Sequence, residues 1–150
     1  MTGPRALAHR AALVAGVLLA TGLTGCGAGG DDAYCAALNA NLSVFSDDGD
    51  GVALLDHLGD LRAIAAKSPD DIAADWQSVL SALQGLDDAI TAAHLTPSDF
   101  VDGKPPASIS AAARASIAAA ASQVSGSDVV TAFDNIDQEA KDVCKVQLGI

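Results

Sequence analysis

The sequence predicts an all-α domain, a small bundle of four to five helices whose first and last members are joined by one disulfide. Three observations carry this. Alanine is abundant and β-branched runs are short. Apolar residues recur at spacings of three and four, the period of a helix face. Two cysteines, Cys35 and Cys144, stand near the two ends of the segment that remains once an N-terminal leader is set aside.

The leader comes first in the chain. "MTGPRALAHR" carries Arg5, His9 and Arg10 and no acid, and "AALVAGVLLATGL" after it carries no charge. This is the pattern of a secretory signal peptide, and its apolar run is shorter than the about 20 residues a spanning helix needs. It ends in "LTGC", Leu23 to Cys26, which resembles the lipobox of bacterial lipoproteins. That resemblance implies cleavage between Gly25 and Cys26, a diacylglyceryl group on the Cys26 thiol, and residence on the extracytoplasmic face of the cell membrane. Two acyl chains give a stable anchor where one binds reversibly. The chain then divides into a removed leader (1–25), a lipidated flexible tether (26–30) and a helical domain (31–150). "GCGAGG" at Gly25 to Gly30 matches a dinucleotide-binding fingerprint by letter, but no strand precedes it and the cleavage would sever it.

The first helix, Asp31 to Ser46, aligns Tyr34, Leu38, Leu42 and Phe45 on one stripe. The second, Gly51 to Lys67, does the same with Leu54, Leu55, Leu58 and Leu61. For the third, Ser68 is placed to cap, Pro69 suits the first helical position, and Asp70 and Asp71 complement the helix dipole. Its seam of Ile72, Trp76, Val79, Leu83, Leu86 and Ile90 faces neighbours in a bundle and makes Trp76 a core residue. Leu95 to Ala107, "LTPSDFVDGKPPA", is a long loop broken by Pro97, Gly103, Pro105 and Pro106. The fourth helix, Ser108 to Ser125, presents Ile109, Ala113, Ile117, Ala120 and Val124. Gly126 is expected to end it and Ser127 to cap a fifth, whose stripe of Val129, Val130, Phe133, Ile136, Ala140 and Val143 leads to Cys144.

With the leader gone, Cys35 and Cys144 are expected to pair outside the cell, where thiols oxidise. Closing a loop of roughly 110 residues constrains the unfolded chain by up to about 5 kcal/mol in the entropic account. The bond requires the first and last helices to lie side by side. Tyr34–Cys35 after an acidic stretch, "SPDDIAADWQ" opening a long helix, and "FDNIDQEAKDVC" near the end together resemble a group of small secreted lipoproteins of actinobacteria whose function is uncharacterised. The resemblance implies fold and address and transfers no active site.

Composition narrows the function. Losing Arg5 and Arg10 with the leader leaves 6 bases against 19 acids, a net charge of −13 that repels nucleic acid and anionic head groups. Five aromatics are too few for a carbohydrate platform of stacked rings. "SDDGDG", Ser46 to Gly51, begins like a calcium loop with Asp48 and Asp50 at positions 3 and 5, but Ser46 replaces the first acid and His57 the bidentate glutamate at position 12. Asp48 and Asp50 are weak metal candidates at most, and the stretch reads as a helix–helix turn. His57 and His94 lack a second metal ligand at i+4, and no catalytic motif is present. No catalytic residue and no cofactor is expected.

The reading is thus a non-catalytic, lipid-anchored interaction or accessory module of the cell envelope. Its partners are the membrane, through Cys26, and an envelope protein. The alternative is a carrier of a small apolar ligand, because the eight alanines in Ala111–Ala121 either let helices pack closely or leave volume for a ligand. Weak calcium binding is the third reading. Phe100 and Lys104, in the long loop, are the candidate partner contacts. The competing reading of that loop is a mobile connector with Phe100 tucked onto the bundle.

Overall fold

The computed structural model describes residues 28–45 and 52–149. Five α-helices lie among them: α1 (Ala28–Ala40), α2 (Leu58–Ala65), α3 (Ala73–Ala92), α4 (Ala111–Val124) and α5 (Ser127–Glu139), the last continuing into a π-helical turn at Ala140–Cys144. No strand occurs among the described residues, and none of their helices is long and apolar enough to cross a membrane.

The helices run up, down, up and down. α1 starts at the end where Tyr34 meets Trp76, in the first turn of α3. It rises into a 3-10 turn, Leu42–Phe45, which touches a second, Ala53–His57, which in turn touches a third, Pro97–Asp99, just beyond the far end of α3. α2 descends and a turn at 66–72 reverses the chain into α3. α4 and α5 then make a single descending leg with a break. Ala120, Gln123 and Val129, on either side of the break, face Ser78 to Gly85 on α3, and Asn135 lower on α5 donates to Asp75 Oδ1 at 3.2 Å. The leg closes where Cys144 bonds Cys35, Cα atoms 5.0 Å apart and 109 positions apart in sequence.

α3 is the axis of the core. All six residues of its expected seam, Ile72 through Ile90, are buried, as are Tyr34, Leu38 and Phe45 from the first leg and Leu55, Leu58 and Leu61 from the second. The Trp76 indole N–H donates to Tyr34 Oη at 3.1 Å, and the rings meet edge to face with centroids 6.4 Å apart. That bond satisfies the two polar atoms that these aromatics carry into the core.

Several boundaries differ from the sequence expectation, each for a local reason. Ala28 to Gly30, expected to be flexible tether, belong to α1. Once Tyr34 and Cys35 are fixed by packing and the disulfide, adding a preceding turn requires propagation only, without the nucleation cost. α1 stops at Ala40, not Ser46. The Asn39 and Asn41 amides donate to the Cys35 and Ala37 carbonyls, both at 2.8 Å, and compete with the backbone in the last turn. α3 starts at Ala73 because the Ser68 hydroxyl donates to Ala65 O at 2.8 Å, closing α2 instead of capping α3. For α4 the cap is Ser110, whose Oγ accepts from Ala113 N at 3.1 Å. Ser127 does not cap α5; Gly126 occupies that position with ordinary φ −67°. A Cβ on Gly126 would stand 3.0 Å from the Gln123 carbonyl oxygen, a tight contact that the backbone at the break would have to shift to relieve.

Val130 on α5 and Val143 in the π-helical turn face solvent, and Ala132 on α5 is buried. The π-helical turn rotates the last residues relative to a strict 3.6 period. Beyond it Lys145 turns left-handed (φ 59°), Val146 N donates to Ala140 O at 3.1 Å, and Leu148 inserts into the core with its N–H donating to Asp137 Oδ1 at 3.2 Å.

Candidate functional site

The end of the bundle opposite the disulfide carries the most built surface. α3 finishes on His94, exposed and left-handed at φ 57°, with Leu95 N donating back to Ile90 O at 3.1 Å. This is the usual helix-ending bond pattern with histidine where glycine is common. The chain next winds one 3-10 turn. The Asp99 carboxylate accepts from the Thr96 N–H and the Thr96 hydroxyl, both at 2.8 Å, while Asp99 N donates to Thr96 O at 3.0 Å. Those two bonds to the charged form, the backbone one first, hold the Asp99 carboxyl below its ordinary pKa.

A second tight turn follows at once. Val101 and Lys104 exchange both backbone hydrogen bonds, at 3.1 and 3.0 Å, across Asp102 (φ 49°) and Gly103 (φ 68°). Two left-handed residues in succession make the hairpin turn that Asp-Gly sequences favour. The tip leaves Val101 71% exposed and Lys104 in solvent. On the return, Arg114 from the first turn of α4 reaches back, its guanidinium donating to Pro106 O at 3.3 Å and Ala107 O at 3.2 Å. The segment expected to be a long loop is therefore two ordered turns clamped from α4.

Between this hairpin and the Ala53–His57 turn lies a cleft of about 240 Å³. Val52, Pro97 and Phe100 give it apolar walls, and Ser98, Asp56 and Asp102 give it polar ones. Phe100 is half-buried and packs against the core while one part faces the cleft, so it is tucked onto the bundle and also available from outside. Lys104 lies outside the cleft wall.

A second depression, about 350 Å³, follows the α4–α5 break along α3, lined by Ser78, Ser81, Gly85 and Ala120 among others. It bears on the packing of the alanine-rich helix. α4 buries Ile117 alone, and its small side chains leave an open groove, not an enclosed cavity.

The other expected sites separate clearly. Cys35 and Cys144 are joined. Cys26, Asp48 and Asp50 lie outside the described residues. His57 is half-exposed with Nδ1 3.4 Å from Asp60 Oδ2. Among the described residues no group of three or more histidines, cysteines or acids could hold a metal ion, and no buried polar side-chain atom lacks a partner.

At the disulfide end, Asp31, Asp71, Glu139 and Asp142 come from three parts of the chain to one acidic region. Burial first, then the Asp71, Asp31 and Asp142 charges, push the Glu139 carboxyl above its ordinary pKa. Tyr34 is pushed up to about 12, chiefly by burial, with the Trp76 hydrogen bond opposing and the Glu139 charge adding.

Sequence reasoning picked out Phe100 but missed its companions. Asp102–Gly103 is the dipeptide that could have located the hairpin. Nothing local to Asp56 foretells that it would face Phe100 from 44 positions away, because that meeting is made by the up-down path of the helices. No protein-family model, curated protein or solved structure matches the chain.

Proposed function

We propose that this protein is a lipid-anchored, extracytoplasmic helical module that acts by contact with other molecules of the cell envelope and carries no catalytic site. The observation that supports this most is polarity of placement. The first described residue of α1, two positions after Cys26, and the 96–107 segment lie at opposite ends of α3. A helix of 20 residues is about 30 Å long. An anchor on Cys26 would hold the disulfide end at the bilayer and present the cleft, Phe100 and Lys104 away from it. The membrane address rests on the basic start, the apolar core and the lipobox-like "LTGC", and the likeness to small actinobacterial lipoproteins points the same way.

The carrier reading has less support, since the groove beside α4 is open and an apolar ligand in it would stay largely in water. Two measurements test the proposal. Metabolic acyl labelling should mark the wild type and vanish in Cys26→Ser, and equal labelling of the variant would remove the anchor. Crosslinking on intact cells should capture a partner that is lost when residues 98–104 are replaced by a glycine–serine linker; a folded replacement that retains every partner would move the contact elsewhere.

A further inference from the structure

We propose that the cleft between the Ala53–His57 turn and the Val101–Lys104 hairpin receives a basic side chain, lysine or arginine, from an extracytoplasmic partner protein. This names the chemistry of the partner at the end already read as the contact face, and so rests on that reading. Size comes first. At about 240 Å³ the cleft is below the roughly 300 Å³ at which pockets begin to bury a whole small-molecule ligand. It is matched instead to one side chain delivered by a larger molecule.

The lining sets the kind of side chain. Val52, Pro97 and Phe100 offer apolar walls to a methylene stem, and an aromatic ring in the lining suits the stem of a cationic side chain. Asp56 and Asp102 offer carboxylates, and Ser98 a hydroxyl, to a charged head. Neither Asp56 nor Asp102 has an ion-pair partner among the described residues. The neighbouring bases are engaged or outside: His57 faces Asp60, and Lys104 closes the hairpin without joining the wall. A chain of net charge −11, or −13 once Arg5 and Arg10 leave with the leader, would also draw a basic partner in at long range.

The hairpin side of the cleft is held before binding. The Thr96–Asp99 bonds, the reciprocal Val101–Lys104 pair and the Arg114 clamp hold the hairpin, so little ordering entropy is lost when the side chain enters.

The test is a titration of the ¹⁵N-labelled full chain, followed by nuclear magnetic resonance, with the tripeptides Leu-Arg-Leu and Leu-Lys-Leu and the uncharged counterpart Leu-citrulline-Leu. The basic peptides should give saturable shifts confined to Val52–Asp56 and Ser98–Gly103, and the citrulline peptide none. Asp56→Asn and Asp102→Asn should each weaken binding about threefold and together about tenfold, the range of solvent-exposed charge pairs. Asparagine tolerates the left-handed position 102, and Asp102→Asn alone carries the test should position 56 disturb the turn.

Equal binding of the citrulline peptide, shifts centred on other residues, or unchanged affinity in a folded double variant would each overturn the proposal. Spermidine or calcium shifting these residues where the peptides do not would overturn the choice of a protein side chain. Because the titration needs no membrane, loss of anchoring in the labelling experiment and failure of the cleft are read separately.

Discussion

At the disulfide end of the bundle Tyr34 and Trp76 are buried and a covalent bond joins the first and last legs. At the other end Thr96 to Lys104 is held by short-range hydrogen bonds around left-handed residues, over surface that is largely exposed. The first arrangement draws its stability from apolar area removed from water and from restriction of the unfolded chain. The second draws shape from turn chemistry and contributes little to global stability. A surface of that second kind accepts substitution without unfolding the domain, which is the property a contact face needs.

The comparison breaks most sharply at Trp76. Trp76→Ala removes the largest buried side chain and leaves the Tyr34 hydroxyl without its donor. A loss of about 4 kcal/mol is expected, enough to unfold a marginal domain at physiological temperature. Urea denaturation measures it, and a loss below about 1 kcal/mol would mean that the aromatic pair is not the centre of this end.

Removing the staple should follow closely. The double variant Cys35→Ser with Cys144→Ser frees a loop spanning 109 positions and is expected to lose about 3 kcal/mol, within the usual range for a small disulfide-bonded domain. In the wild type both thiols should resist alkylation until a reductant is present, and a non-reducing mass measurement reads this directly.

The loop end should respond far more weakly. Gly103→Ala places a side chain at φ 68° in the hairpin and should lose about 1 kcal/mol or less globally. Shift changes confined to residues 96–107 would sharpen the contrast between the ends. A global loss comparable to that of Trp76→Ala would abolish it.

The same division governs what could be read from the sequence. The α3 seam was legible in full because one helix with neighbours on several sides obeys the 3.6 period without interruption. The Cys35–Cys144 bond was legible because setting Cys26 aside with the lipobox-like "LTGC" left one pairing to expect among the three cysteines. Helix starts were less so, since Ser68 and Ser110 look alike in sequence and differ only in which backbone group each hydroxyl reaches. Leu148 lay beyond the last periodic residue, and a left-handed lysine followed by a returning tail leaves no periodic signature. Phe100 could be found as an aromatic in a loop. Asp56 could not, because the cleft exists only once two turns distant in sequence are brought together by the bundle.

The smallest effect is also the most specific, because acid should act on the two ends with opposite signs. Asp99 is held below its ordinary pKa by the Thr96 N–H and hydroxyl, so its contribution is present above the unfolded value of about 3.9 and is lost as pH falls through the lower folded value. Glu139 is pushed the other way by burial and by Asp71, Asp31 and Asp142. Its contribution is complete below the unfolded value of about 4.3 and disappears as pH rises through the higher folded value. Lys141 pairs with Asp137, and Lys145 keeps its charge while donating to the Asp142 carbonyl, but neither offsets the acidic neighbours that raise Glu139. Glu139→Gln should therefore raise the melting midpoint slightly at pH 7 and change nothing near pH 3. Asp99→Asn should lower it slightly at pH 7, with the deficit shrinking as the wild-type carboxylate protonates. Thermal melts of both variants across this range measure the two slopes. If Glu139→Gln lowered the midpoint at pH 7, the acidic region would be a source of stability through contacts that repulsion among Asp31, Asp71, Glu139 and Asp142 does not describe, and the electrostatic half of the comparison would fail.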